Sequence, residues 1–265
     1  MRTASRALTA SPHTIVSDQA TALAISPAEA DVHVWVANPD EVTDLAQLTR
    51  CKALLSVDEL ARYERFVFAR DRHLFLVAHA TLRRVLSRYA GVHPAAWAFE
   101  ANEYGRPNIA AGICDLPLRF NLSHTYGLVA CAVRIGLDVG VDVERLSREV
   151  SFMEVADQFF APAEVEALRA LPATERFHPF FEYWTLKEAY IKARGMGLAI
   201  PLRQFAFNLE SPDRLEVKFD PTIHDEPTAW HFELIRPTLD HVLAVAARRG
   251  RSASLSVQLL TVAPP

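Results

Sequence analysis

The stretches TLRR at residues 81–84 and TLKE at residues 185–188 share one pattern, and this pattern decides the fold. Each is followed by a basic residue and then a glycine at the same spacing, Arg88 with Gly91 and Lys192 with Gly195, so that the pattern recurs at a constant offset of 104 residues. The paired positions agree in type or charge, except that Arg84 stands against Glu188. The repeat predicts a tandem duplication built on two matching helices.

Short strand-like segments follow each helix in the same order. The sequence WAF at 97–99 is echoed by FAF at 205–207, and the strand pair 120–122 with 128–133 is echoed by 232–234 with 242–246. We therefore expect an α+β fold that is a pseudodimer of two similar halves, with a cleft at their junction. The alternative is a chance match, since short amphipathic helices resemble each other easily.

The predicted duplication divides the chain into three parts. Residues 1–30 are rich in Ala, Ser and Thr without periodicity and predict a disordered leader. Residues 31–138 form the N-terminal half and residues 139–265 the C-terminal half. Ser56 followed by Glu59 has the spacing of a capping box and predicts the start of a helix.

Composition narrows the class of protein. The chain has 265 residues, 50% of them hydrophobic, and a formal net charge of −4. This net negative charge provides no general electrostatic attraction to nucleic acid or to an anionic membrane. Its three cysteines include no CxxC pair, which argues against a disulfide framework or a zinc site. With no signal peptide or membrane-spanning run, we expect a cytoplasmic protein.

The stretch GVDVE at 140–144 reads as an apolar strand that places Asp142 and Glu144 on one face. Two carboxylates held close together repel each other unless a cation neutralises them, and oxygen ligands suit Mg2+. The alternative is a strand end whose acidic residues face solvent or pair with Arg145.

The stretch WTLKEAYIK at 184–192 places Glu188 and Lys192 one helical turn apart on a shared face. The alternative is an ordinary ion pair on the solvent-exposed surface of a helix, which is common at this spacing. Trp184 lies one turn before Glu188 on the same face, which indicates that this face is partly covered.

Three further segments carry polar residues suited to an anion. FNLSH at 120–124 is a strand that ends in Ser123 and His124, where the imidazole is either a phosphate ligand or a simple turn residue. EYGRP at 103–107 reads as a turn. The first helices are rich in arginine, either as solvated faces or in part as a phosphate clamp, at positions Arg62, Arg65, Arg70, Arg72, Arg83, Arg84 and Arg88.

Taken together, FNLSH, GVDVE and WTLKEAYIK resemble in order and spacing the three signature motifs of the Sfp-type 4'-phosphopantetheinyl transferases. The resemblance covers residues 32–247 and implies a pseudodimer that binds coenzyme A in the cleft between its halves. It implies Mg2+, with Mn2+ as an alternative ion, and an apo acyl carrier protein or peptidyl carrier domain as partner. It leaves open whether fatty-acid, polyketide or nonribosomal-peptide synthesis is served.

The resemblance also implies roles for individual residues. Asp142, Glu144 and Glu188 would bind the metal ion, with Asp142, Glu188 and Lys192 catalytic. The residues that would meet coenzyme A are Arg62, Gly105, Arg106, Pro107, Ser123, His124, Lys187 and Lys192. A further arginine of some family members falls on Leu74, where Arg70 or Arg72 would have to substitute.

The implied reaction is attack of a carrier serine on coenzyme A, with release of adenosine 3',5'-bisphosphate. Glu188 or a metal-bound water would take the serine proton. Because both halves are present in one chain, we expect a monomer. The main alternative is a non-catalytic module that binds coenzyme A or a carrier protein, and a second is another Mg2+-dependent enzyme of phosphorylated substrates.

Overall fold

The computed structural model of the protein describes residues 14–15, 31–146, 151–209, 215–250 and 255–263. The leader prediction therefore lies outside the described residues, apart from Thr14–Ile15, which forms a short strand. No helix in these ranges is long and apolar enough to cross a membrane.

Helices and strands fall in separate runs along the chain, in agreement with the α+β prediction. The helices are α1 (Leu45–Leu54), α2 (Val57–Glu64), α3 (Ala69–Ser87), α4 (Phe152–Phe159), α5 (Pro162–Ala170) and α6 (Phe177–Arg194). The strands are β1 (Thr14–Ile15), β2 (Asp31–Ala37), β3 (Phe99–Ala101), β4 (Pro107–Ile109), β5 (Leu118–Thr125), β6 (Leu128–Ile135), β7 (Val139–Arg145), β8 (Phe205–Asn208), β9 (Glu216–Phe219), β10 (Trp230–Thr238), β11 (His241–Arg248) and β12 (Ser256–Thr261).

Two sheets carry the two long helices. The first has the order β1-β12-β2-β6-β5 and packs against α3, while the second has the order β10-β11-β7 and packs against α6. In each sheet a hairpin, β5-β6 or β10-β11, lies beside the strand that precedes the long helix. The small hairpins β3-β4 and β8-β9 follow the two helices in turn. The described elements thus repeat in one order, which confirms the pseudodimer.

The halves meet through an apolar layer between the sheets, which is built from alternate residues of β2 and β7. Val32, Val34 and Val36 of β2 pack with Val141 and Val143 of β7 in one buried cluster. The other residues of each strand therefore face the long helix of their own half, because side chains alternate along a strand.

The last strand crosses the expected division of the chain. Strand β12 comes from residues assigned to the C-terminal half, yet it pairs in parallel with β2 of the first sheet, with Val257 opposite Val32. The partition at 138/139 stays a prediction, and its second part includes a strand that completes the first sheet.

The predicted capping box is confirmed. Ser56 is the N-cap of α2, the Ser56 side chain accepts a hydrogen bond from the backbone of Glu59, and the Glu59 carboxylate accepts one from the backbone of Ser56. Helix α2 then packs on α3 in a small apolar cluster that contains Tyr63 and Phe75. This packing fixes Glu59 and Arg62 beside α3.

Candidate active site

A close approach between β7 and α6 builds the centre of the candidate site. Gly140 allows it, because a Cβ atom added there would lie 2.1 Å from the carbonyl oxygen of Ala189 and 2.5 Å from the backbone nitrogen of Ala193. With no side chain between strand and helix, the polar face of α6 lies over the acidic residues of β7. Glu188 and Lys192 are thereby brought to Asp142.

Asp142 is the most enclosed of the three predicted metal ligands, with 4% of its surface exposed. Its Oδ1 atom accepts hydrogen bonds from Lys192 Nζ at 2.6 Å and from the Ser123 hydroxyl at 2.9 Å. Its Oδ2 atom is buried and has no hydrogen-bond partner in the part of the chain that the structure describes. A buried carboxylate oxygen without a partner is costly, and a bound cation would relieve that cost.

Glu144 and Glu188 complete an acidic group around Asp142. The Glu144 carboxylate accepts a hydrogen bond from the Trp184 indole at 3.2 Å, so the acidic strand end contacts the covered face of α6 rather than solvent. Burial and the charge of Asp142 raise the pKa of Glu144 to about 7. Burial and the same charge also raise the pKa of Glu188. Both shifts arise first from burial of the carboxylates and second from repulsion by Asp142.

The chemistry of these donors fits Mg2+, which prefers hard oxygen ligands. Their placement is looser than a finished metal site. Among the described residues, no group of three or more His, Cys, Asp and Glu side chains lies in a metal-binding arrangement. Lys192 instead neutralises Asp142 here. The metal ligand set therefore stays a prediction, supported by donor type and by the unpartnered oxygen of Asp142.

Strand β5 supplies the next polar residues. Ser123 is buried, and its Oγ atom accepts a hydrogen bond from Lys192 Nζ at 3.0 Å. His124 follows at the exposed end of the strand. Partial burial of the ring, together with the nearby basic side chains of His79, Lys192 and Arg62, lowers the pKa of His124 to about 4. An anion at this point would be surrounded by basic side chains.

The EYGRP turn closes one end of the cleft. Gly105 has φ +87°, a left-handed conformation that glycine adopts without strain. A pocket of about 410 Å³ lies beside it, lined on one side by the turn and on the other by Asn121, Glu188 and Lys192. The structure thus brings Gly105, Arg106 and Pro107 to the same pocket as the acidic helix face.

Arg106 makes contacts that differ from those of a solvent-facing ligand. Its side chain is 9% exposed, and its guanidinium donates hydrogen bonds to the Ala193 carbonyl at 2.6 Å and to Asp138 at 3.4 Å. It therefore ties the turn of the N-terminal half to the end of α6 in the C-terminal half. The side chain lines the pocket, but its donors are largely engaged by protein.

Lys187 is the site prediction that the structure does not bring to the cleft. It is fully buried, with Nζ 2.7 Å from the Glu164 carboxylate and hydrogen-bonded to the carbonyls of Leu202 at 2.8 Å and Phe205 at 2.6 Å. One residue along a helix turns a side chain by about 100°, so Lys187 faces the core while Glu188 faces the cleft. This position is corrected from a phosphate contact to a structural ion pair.

Sequence reasoning also missed contacts that assemble the site. Asn121 bridges the edges of the two sheets by accepting a hydrogen bond from the backbone of Val141 at 2.9 Å. Its only signal was a polar residue within an apolar strand. Glu164, the partner of Lys187, lies in α5 and carried no distinctive signal.

Comparison with known proteins agrees with this architecture. A family model described as "4'-phosphopantetheinyl transferase superfamily" matches residues 138–246, and one described as "4'-phosphopantetheinyl transferase, N-terminal" matches residues 42–135. The 4'-phosphopantetheinyl transferase HetI of Nostoc sp. is 36% identical over 216 residues, which are 82% of this chain and 87% of HetI. The transferase Sfp of Bacillus subtilis is 31% identical over 64% of this chain and 73% of its own length.

A solved structure, that of Thermotoga maritima holo-(acyl-carrier-protein) synthase, is 23% identical and covers 43% of this chain and 64% of that chain, with a TM-score of 0.34. A likeness this low supports no argument. The fold and the acidic cleft define a two-halved α+β enzyme. On the sequence relatives, the chain belongs to the 4'-phosphopantetheinyl transferase superfamily, which confirms the resemblance seen in its motifs.

Proposed function

We propose that this enzyme transfers the 4'-phosphopantetheine group of coenzyme A to a serine of an apo acyl carrier protein or peptidyl carrier domain. The observation that carries the proposal is the convergence of Asp142, Glu188, Lys192 and Ser123 beside the pocket between the halves. That group combines carboxylates for a divalent cation with cationic and hydroxyl donors for phosphate. Phosphoryl-type transfer needs both.

Asp142, Glu144 and Glu188 are the residues that would hold Mg2+. When bound, the ion would neutralise charge on the pyrophosphate. Lys192 carries a second positive charge at the same place, and the Ser123 hydroxyl orients it through a hydrogen bond of 3.0 Å. Phosphate oxygens would therefore replace Asp142 as the partner of Lys192 once substrate is bound.

Glu188 is the proposed base. Glu188 lines the pocket next to Lys192, so a carrier serine that enters the pocket meets a proton acceptor there. In the proposed step, the serine oxygen forms a bond to the β-phosphorus of coenzyme A while its proton passes to Glu188. The bond from that phosphorus to the bridging pyrophosphate oxygen breaks, and adenosine 3',5'-bisphosphate leaves with the electron pair.

The experiment is intact-mass analysis of an apo acyl carrier protein and an apo peptidyl carrier domain, each incubated with this enzyme, coenzyme A and Mg2+. We expect a gain of one phosphopantetheine on at least one carrier, and no gain when EDTA is present. No gain on either carrier, with coenzyme A binding retained, would favour the non-catalytic binding module instead. The comparison of the two carriers also begins to identify the pathway.

We also propose that the enzyme works as a monomer. Both halves that line the pocket come from one chain, with the turn at Gly105 on one side and α6 on the other. Light scattering during gel filtration would test this, and a dimer that loses activity on dilution would contradict it.

A further inference from the structure

Helix α6 ends where the two halves meet. Gly195 is its C-cap, and the last carbonyl groups of a helix have no partner within the helix itself. Two side chains from the turn between β3 and β4 donate to them. The Arg106 guanidinium bonds the Ala193 carbonyl at 2.6 Å, and the side-chain amide of Asn102 bonds the Gly195 carbonyl at 2.7 Å. These two contacts form an inter-half cap, because the N-terminal half supplies the donors for a helix of the C-terminal half.

Asn102 also shapes the turn from which it reaches α6. Its Oδ1 atom accepts hydrogen bonds from the backbone of Tyr104 at 3.0 Å and of Arg106 at 2.8 Å. Its backbone carbonyl accepts a third from Gly105 at 2.9 Å. Asparagine favours such turns because its side chain bonds the backbone two residues further on. One side chain therefore fixes the turn and attaches it to α6.

Gly195 leaves room for the inter-half cap. A Cβ atom added there would lie 2.5 Å from Cδ of Arg106 and 3.4 Å from Nδ2 of Asn102. Its φ of +65° is also a left-handed conformation that glycine adopts without strain. The backbone of α6 and the turn are thus in direct contact at this point.

The inter-half cap borders the pocket between the halves. Asn102 is partly buried and acts on the pocket through the residues that it bonds. The turn and α6 form facing walls of this pocket, which are Tyr104, Arg106 and Pro107 on one side and Glu188, Lys192 and Gly195 on the other. A contact that joins the turn to α6 therefore sets the separation of the two walls.

We propose that Asn102 is a positioning residue, which holds the turn against α6 and so sets the width of the pocket for coenzyme A. The inference rests on the proposed function, since it concerns the pocket of that substrate. Without the bond to Gly195, the turn would have to be ordered when the substrate binds, and this ordering weakens affinity. The acidic centre at Asp142 would be unaffected. The loss should therefore appear in KM for coenzyme A rather than in kcat.

The test measures kcat and KM for coenzyme A in the wild type and in three variants. Asn102→Ala removes the bonds to the turn and the bond to Gly195. Asn102→Asp keeps an oxygen for the turn but has no donor for the Gly195 carbonyl, and Asn102→Ser does the same without adding a charge. We expect KM to rise about tenfold in all three variants, with kcat changed by less than about twofold.

Asn108→Ala is the matched control. Asn108 lies on β4 of the same hairpin, but it accepts a hydrogen bond from Arg119 of β5 at 3.4 Å, so its replacement should leave both constants unchanged. Thermal melting shows whether each variant is folded. If Asn102→Ala does not fold, the aspartate and serine variants carry the test.

A wild-type KM in both Asn102→Asp and Asn102→Ser would show that Asn102 acts on the turn alone, which overturns the proposal. A fall in kcat at unchanged KM overturns it as well. Calorimetry of coenzyme A binding separates this failure from that of the proposed function. If the wild type binds coenzyme A but transfers nothing, the transfer reaction fails while the dissociation constants of the variants still decide the role of Asn102. If the wild type does not bind coenzyme A, both proposals fail.

Discussion

The two halves are most alike where the structure is buried and most different where the cleft opens. In the first half Arg83 pairs with Glu59 and bonds the carbonyl of Trp97, and in the second Lys187 pairs with Glu164 and bonds the carbonyl of Phe205. Both glutamates also close a cap at the start of a short helix. One internal ion pair has thus been kept in duplicate as part of the scaffold.

The exposed faces of the same helices have diverged. Arg88 lies over the ring of Trp35 at 5.0 Å, whereas Lys192, its counterpart in the repeat, pairs with Asp142. Trp35 and Asp142 therefore occupy matching places on β2 and β7, each facing its own long helix. Where the first half has an aromatic residue for packing, the second has a carboxylate. The candidate catalytic residues Asp142 and Lys192 therefore belong to the second of two halves that share one backbone arrangement.

The largest effect should come from replacing Asp142. We expect Asp142→Ala to reduce phosphopantetheinyl transfer by about 1,000-fold, because the charges around it lose their common partner. The fold should remain intact, as judged by circular dichroism. The matched variant Trp35→Phe in the first half should retain turnover. Full activity of Asp142→Ala with Mg2+ would refute the metal site.

The next effect concerns the duplicated ion pair. Lys187→Met should lower the free energy of unfolding by about 3–5 kcal/mol, because it leaves the buried Glu164 without its cation. Arg83→Met should cost less, because Glu59 is partly exposed and keeps its contact with His79. Chemical denaturation measures this. A Lys187→Met protein as stable as the wild type but inactive would return Lys187 to the phosphate site.

The two halves also differ in how closely the strand approaches the long helix, and Gly140 allows the close approach of β7 to α6. In the strand alignment that matches Trp35 with Asp142, its counterpart is His33, whose side chain bonds Tyr89 at 2.9 Å. Gly140→Ala should cost about 1–3 kcal/mol of stability, because strand and helix must separate. His33→Ala should instead leave a cavity in the first half without moving α6. Equal activity per folded molecule in both variants would contradict the role given to Gly140.

The smallest effect is a pH dependence. In metal-free protein the pKa of Glu144 is raised to about 7 in the folded state, so the unfolded chain loses this proton first. The free energy of unfolding should then fall as pH rises from about 4.5 through about 7. Denaturation at several pH values in EDTA measures it. Glu144→Gln should remove this component, and an unchanged slope would show that Glu144 is not the group responsible.

Much of the site could be predicted from sequence because its residues lie in short local patterns. Alternation along GVDVE placed Asp142 with Glu144, and helical spacing placed Glu188 with Lys192 and Trp184. The helix period also carried the information that Lys187 lies on another face than Glu188. The resemblance of WTLKEAYIK to the family motif implied a phosphate contact for Lys187. Its buried partner Glu164 could not be predicted, since the two residues are far apart in the chain.

The sequence by itself determined the duplicated frame, the acidic strand and the helix that faces it, because periodicity and capping act over a few residues. Only the tertiary structure decided which basic residues form internal ion pairs and which face the cleft. In the folded protein Lys187 pairs with Glu164 and Arg83 pairs with Glu59. His79 lies beside Arg62 on the ring of Phe75, and β12 pairs with β2 in the first sheet. These outcomes depend on contacts between distant segments, where burial of charge and close packing select one partner among many.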